Sequence, residues 1–344
     1  MPARLHQRCW SLLKNHWFLA GLIVGIPLAA GVAQTQPPQA LVDGVDAVPT
    51  SLCTAAILFL MAVTLNSGRL LVAIRRPTPV VTACLVNQVV LPLMCLPLIA
   101  LQKSADMRVG LLIAASVPCT MAAASVWTRR AGGNDAVSLL VTLLTNGGCF
   151  LVTPLWMSVG TRWFGTSDTS TGLGFQDMVI SLVLAALLPA LIGQLLRLSE
   201  TIRRFVDKRK AFFGILAQLI ILMLVFISSF KGGLRFQADG MAANLRHLEF
   251  ATVWACCIGL HLMAMLIVWP LTGVLRMAEE DRRACVFAGS QKTLPIGILV
   301  SQATGLPFSL LPMLMYHVSQ LFIDTWVADR LRSRPSTVDE QRLM

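Results

Sequence analysis

Along the whole chain, apolar runs alternate with short polar or Pro/Gly-rich stretches. A soluble helix would show one apolar stripe and an opposite polar face. These runs are apolar on every side and about 20 residues long, the length that crosses a bilayer as a helix. Ten windows follow: residues 17–33, 49–67, 79–101, 109–128, 136–160, 177–196, 212–230, 251–275, 284–304 and 308–328. The first, WFLAGLIVGIPLAAGVA, ends in small residues as a cleaved signal does. Its removal would leave nine windows, so it is read as a retained span. The predicted fold class is an all-α polytopic membrane protein with ten transmembrane helices.

The polar segment TRWFGTSDTSTGLGFQ at 161–176 divides the windows into two sets of five. The predicted organisation is a first five-helix repeat at 1–160, a connecting loop at 161–176, a second repeat at 177–330 and a cytoplasmic tail at 331–344. An odd number of spans per half means that two similar halves insert with opposite orientation. Secondary transporters use such inverted repeats and bind substrate near midplane, on interrupted helices. The fourth window holds Pro118 and the ninth holds Pro295, at matching positions in the two halves. Proline removes a backbone donor and frees a carbonyl one turn earlier. Two readings stay open: kinks in packed helices, or breaks that face a ligand.

Charge supports the count. With ten spans both termini share one side, and that side carries 21 of the 28 Lys and Arg residues; the other carries six. The excess marks the cytoplasmic face, with both termini inside and the inner (plasma) membrane as the location. Six of the positive residues cluster at 197–210, a connector suited to anionic headgroups. The net charge of +11 would suit nucleic acid only if gathered on one surface, and it is divided among loops. The predicted partners are therefore the lipid bilayer and a small molecule, not nucleic acid.

Composition agrees: 56% of residues are hydrophobic, 13% are charged and the mean hydropathy is +0.71. Soluble domains carry about 25% charged residues. Most of the nine cysteines lie in apolar windows without Cys-x-x-Cys spacing, as small hydrophobes do. No nucleophile motif accompanies His261 or His317, so an enzyme is not predicted, and no cofactor is called for.

Two charges sit well inside apolar windows, Lys292 and Asp324. Burying a charge at mid-bilayer costs at least about 2.5 kcal/mol, so such residues face a cavity or a partner. Lys292, between Gln291 and Thr293, is assigned to a polar cavity, and Asp324 to a helix end or interface. Asn87 and Gln88 interrupt the third window; Ser138, Thr142 and Thr145 share one face of the fifth, beside Asn146. His317 lies in the tenth with Tyr316, Ser319 and Gln320. His261, alone among apolar residues, is read as interhelical hydrogen bonding.

The run VPCTMAAASVWTRRAGGNDAVSLLVTLLTNGGCFLVTPLW, with YHVSQ at 316–320, resembles the bile acid:sodium symporter family over about residues 10–330. The likeness is greatest to its divergent seventh-member branch and bacterial relatives, in the Trp17-Phe18 start and the lysine of the ninth span. The resemblance implies a panel domain of spans one, two, six and seven, and a core domain in which broken fourth and ninth spans cross. It implies one sodium site drawing on Ser125, Ser138 and Thr142. A second would draw on Gln291 with Asn87, or its neighbour Gln88. Two departures stand out: the family's ninth-span glutamate falls at Phe287, and the asparagine after the glutamine is Lys292. An ammonium there opposes Na⁺ by Coulomb repulsion, and the missing carboxylate removes the natural counter-charge. Na⁺ stays open as the coupling ion but lacks its usual carboxylate; Lys292 either stands in its place as a fixed cation or titrates. Helix N-termini beside Lys292 would favour an organic anion. The expected function is alternating-access transport of a small organic anion. The alternative is a regulatory protein of the same fold acting in ion homeostasis or envelope assembly.

Overall fold

The computed structural model describes residues 2–65, 77–121, 123–163, 174–238, 243–306 and 308–332. Every described element is helical. In chain order these are α1 (Pro2–Gln34), α2 (Gln39–Asp46), α3 (Thr50–Val63), α4 (Pro77–Ile99), α5 (Ala105–Ser116), α6 (Ala123–Arg130), α7 (Asp135–Trp163), α8 (Phe175–Leu196), α9 (Glu200–Lys208), α10 (Lys210–Ala238), α11 (Ala243–Val274), α12 (Glu279–Ser290), α13 (Leu294–Ala303) and α14 (Leu311–Arg332). Each of the ten apolar windows falls on one helix or one pair. Among the described residues six helices are long and apolar enough to cross a membrane, or seven if the bent pair α2 and α3 forms one span.

Packing separates the helices into two groups. In one, α1 lies along α10, and α3 contacts both α10 and the C-terminal half of α8. Small residues allow the first approach: a Cβ on Gly233 of α10 would sit 2.7 Å from the Ala30 carbonyl of α1. The other group gathers α4, α5, α6, α7, α11, α12, α13 and α14. At its centre the window spanning α12 and α13 is entirely buried, whereas that of α8 is 22% buried. Along α8, Leu184, Leu188, Leu191 and Leu195 are exposed at helical spacing. Such a stripe has lipid as its natural solvent.

Prolines and glycines shape the helix ends. In α4, Val86–Val90 form a π-helical turn, a local widening that often marks functional sites. Gly132 takes the left-handed conformation (φ 71°) that ends α6. Asn134 then bonds the Glu280 carbonyl through its backbone N–H and Asp281 through its side chain, tying the turn to the start of α12.

The charge-rich connector is partly internal. Arg197 is buried, donating to the Val63 carbonyl and to Asp207, each at 2.8 Å. That residue closes the α8–α9 turn and does not face headgroups. Of the connecting loop, 164–173 lies outside the described residues, as do Arg69, Arg75 and Arg76 and the tail after Arg332.

Candidate functional site

Two helical spans are interrupted in the middle of the second group. The first, within the fourth apolar window, leaves the helix after Ser116 and resumes at Ala123; the second, within the ninth window, leaves it after Ser290 and resumes at Leu294. Pro118 lies within the first gap. Pro295 opens α13 in its first turn, where a missing N–H costs nothing. The two extended pieces touch: the Thr293 N–H donates to the Pro118 carbonyl at 2.9 Å. Breaks of this kind expose backbone groups that must find partners away from water, and the predicted polar residues supply many of them.

Lys292 is fully buried. Its ammonium donates to the Asn87 carbonyl (2.6 Å), the Asn87 side-chain oxygen (3.2 Å) and the Val117 carbonyl (2.9 Å). An ammonium has three donors and no acceptor, and it meets three oxygens here. One is a π-turn carbonyl and another caps the C-terminal end of α5, where a positive charge is favoured. Asn87 turns its Nδ2 to the carbonyls of Ala288, Gly289 and Gln291, which close α12. Gln320 of α14 clamps the Lys292 backbone on both sides, accepting its N–H at 2.9 Å and donating to its carbonyl at 3.0 Å.

The residues assigned to sodium divide among separate bonds. Ser138 shares a hydrogen bond with Thr128 (2.6 Å). Thr142 donates to the Thr120 carbonyl (3.0 Å), and Asn146 to that of Cys119 (2.8 Å). The Gln291 oxygen accepts from Thr120 (2.6 Å) while its Nε2 donates to Asp324. Ser125 is buried on α6, at the edge of a large cavity. Gln88 donates through its Nε2 to the Thr145 carbonyl of α7 (3.4 Å). Phe287 is fully buried.

Two residues differ from expectation. Asp324 is fully buried, about two turns before the end of α14, and not at an interface. His261 is fully buried as well and lies 2.9 Å from it. The histidine read as simple interhelical bonding is thus paired with a carboxylate.

The cavity, about 1370 Å³, opens between the two helix groups. Its deep end is formed by Thr120, Thr293, Pro295 and His317, and apolar walls come from Phe18, Met61, Phe213 and Leu321. His317 Nδ1 accepts from Gln320 at 2.8 Å, which places the ring proton on Nε2. Arg129, Arg130 and Lys210 lie at one end of the cavity with Asp135 and Asp329. Arg130 bonds Asp329 through two nitrogens (2.7 and 2.8 Å) and stacks over Trp127. Among the described residues no group of three or more His, Cys, Asp or Glu side chains could hold a metal ion.

Comparison with known proteins adds an independent line. A family model described as the SBF-like CPA transporter family matches residues 16–333. Sodium/bile acid cotransporter 7 of Danio rerio is 24% identical over 93% of this chain and 97% of its own length. The probable chloroplastic sodium/metabolite cotransporter BASS4 of Arabidopsis thaliana is 26% identical over 64% of this chain, and its counterpart from Oryza sativa subsp. indica is 25% identical over 65%. The matched region spans about half the length of these chloroplast relatives, 51% and 55%.

Proposed function

Since the chain belongs to the SBF-like CPA transporter family, we propose that it is a secondary active transporter that moves a small organic anion by alternating access. The observation that carries this reading is the cavity. It lies between two helix groups that meet where α8 packs on α7 and α3 on α13, and it ends where the two interrupted helical segments touch. In this reading the ten windows are ten crossings in two inverted halves. The group of α1, α3, α8 and α10 is the panel, and the other group is the core that moves against it. The 21 to 6 division of positive charge supports a cytoplasmic position for the end of the cavity lined by Arg129, Arg130 and Lys210 and for both termini.

The anionic preference rests on three features. The N-terminal ends of α6 and α13 border the deep end of the cavity, and such ends favour negative charge. Three cationic side chains, Arg129, Arg130 and Lys210, line the other end of the cavity against two carboxylates, Asp135 and Asp329, an excess of one positive charge. Apolar walls between them suit an amphipathic molecule. Coupling to sodium is not part of the proposal, because the Lys292 ammonium already satisfies the carbonyl oxygens freed by the π turn and the first break. Lys292 acts as a tethered cation that holds α4, α5 and α12 together.

A thermal-shift screen of purified protein tests the reading, with mono- and dicarboxylates and sulfonates each in sodium and in choline buffer. A ligand at about 100 times its dissociation constant adds about 2.7 kcal/mol of stability. We expect at least one anion to raise the melting temperature equally in both buffers. Stabilisation confined to sodium buffer, or to organic cations, would contradict it.

A further inference from the structure

The connector between α8 and α10 carries a surface that the cavity reading does not use. Two exposed apolar stripes end there. Along α8, Leu184, Leu188, Leu191 and Leu195 continue at the same spacing to Leu198, which is 81% exposed. Along α10 a second stripe of exposed Phe212, Ile215, Leu219 and Met223 begins within the first turn. Between the stripes lies α9, a helix of nine residues. The apolar flanks therefore stop at one level, where polar residues take over. In a bilayer that level is the headgroup region.

The charge at this level is positive and only partly balanced. From Glu200 to Lys210 five cations, Arg203, Arg204, Lys208, Arg209 and Lys210, stand against two carboxylates, Glu200 and Asp207. Asp207 turns inward to the buried Arg197 at 2.8 Å. Glu200 serves Arg204 at 2.5 Å, with Arg203 3.8 Å away. Lys210 lines the cavity. The surplus is carried by Arg203, Lys208 and Arg209, all exposed. Val206 is the one buried residue of α9 and anchors it to the protein. Beside the cations, Phe205 is exposed, and the Arg209 guanidinium lies 4.4 Å over its ring. Cation and apolar ring are presented together, as a water–hydrocarbon boundary favours.

We propose that α9, with Leu198 and the first turn of α10, is a docking site for an anionic phospholipid of the surrounding leaflet. The phosphate meets Arg203, Lys208 and Arg209, and the acyl chains lie along Leu198, Phe205 and Phe212. A free phosphate gains only the charge and leaves those apolar side chains in water, so the surface fits the lipid. Basic residues beside a membrane span attract anionic leaflets, and the proposed topology puts this connector on the cytoplasmic side.

The docking site reaches the mouth of the cavity through aromatic rings. Phe205 meets Phe213 edge-on with centroids 6.4 Å apart, and Phe213 meets Phe212 at 5.8 Å. Phe213 lines the cavity, as do Lys210 and Gly214 of the same stretch. A headgroup held by Arg209 fixes Phe205 under it, and Phe205 fixes Phe213. Lipid binding thereby sets the position of one wall of the mouth. The lipid site rests on the surface alone; its effect on anion entry rests on the transporter reading.

The test uses the full chain in phosphatidylcholine nanodiscs that carry a trace of phosphatidylglycerol with a photoreactive headgroup. After illumination the labelled peptides are mapped by mass spectrometry. We expect the label to concentrate on residues 198–212. A basic side chain near an anionic surface contributes about fivefold, so Arg203→Gln, Lys208→Gln and Arg209→Gln combined should cut the label by at least about tenfold. Arg203→Lys with Arg209→Lys keeps the charge and should retain it. The parent label should also weaken in about 1 M salt, where the screening length is about 3 Å, a measurement that needs no variant to fold. Label spread evenly over the basic loops, or unchanged by both salt and the glutamine variant, overturns the proposal. So does its loss on adding glycerol phosphate, which would make the surface a site for a soluble anion. A second arm measures the half-saturating concentration of a stabilising anion from the thermal screen, with and without phosphatidylglycerol. We expect a several-fold shift in the parent and a much smaller one in the glutamine variant. No shift, or an equal shift in both proteins, overturns the link to the cavity and leaves the lipid site standing. Absence of any stabilising anion contradicts the transporter reading alone.

Discussion

Lys292 replaces what would otherwise be a cluster of unpaired oxygens with three charge-assisted hydrogen bonds. Truncation in Lys292→Ala leaves the Asn87 and Val117 carbonyls buried without their donor, at a cost on the order of 3 kcal/mol. The melting temperature should fall accordingly. Added Na⁺, a hard cation suited to carbonyl oxygens, should restore part of the loss in the variant and leave the parent protein unchanged. An unaltered melting curve would show that the ammonium is not a structural cation. The lysine was legible in sequence because a charge inside an apolar window is a local signal; Asn87, Gln291 and Gln320 were visible as polar residues in their windows, but not as its neighbours. The roles of His261 and Asp324 were not legible. Their meaning lies in each other, and they are 63 positions apart on different helices. Asp324 also sits near the end of its window, where a carboxylate reads as a boundary residue. The division of Ser138, Thr142 and Gln291 among separate bonds was equally hidden, since spacing places residues on a face but does not say what lies opposite.

At the level of elements, close approach at glycine holds the broken spans in place. A Cβ on Gly110 of α5 would collide with the Ser309 carbonyl and the Pro312 ring at the start of α14. Backbone cannot yield as a flexible side chain can. Gly110→Val should separate α5 from α14 and destabilise the fold by several kcal/mol, at or beyond the usual 1–3 kcal/mol for overpacking. A methyl group added at Gly25 of α1 would meet nothing within 4 Å, so Gly25→Ala should leave stability unchanged or slightly raised. Comparing the melting temperatures of the two variants checks the packing; equal effects would contradict it. Most helices were readable from apolar windows, because a run of apolar residues is a local signal; the six or seven helices long enough to cross a membrane are among them. Where the helices break, between Ser116 and Ala123 and between Ser290 and Leu294, was only partly readable. Pro118 lies inside its gap, but Pro295 begins the following helix, and proline suits either position.

For the whole molecule, two helix groups enclose a cavity between them, and the proposed topology opens it to the cytoplasm. Trp326, exposed on α14 at the edge of the cavity, offers a test of orientation. Trp326→Cys, made in a chain whose nine native cysteines are replaced by alanine, should react with a membrane-impermeant thiol reagent applied to the cytoplasmic face of inverted vesicles, with the cysteine-free chain as background. A bound anion should slow that reaction, whereas labelling from the opposite face alone would reverse the assigned topology. The most direct measurement is uptake of the stabilising anion into proteoliposomes, with an inward sodium gradient and with choline in its place. Sodium-independent transport requires saturable uptake above protein-free liposomes, equal in the two conditions. No uptake above that background, or uptake only under the sodium gradient, would contradict it.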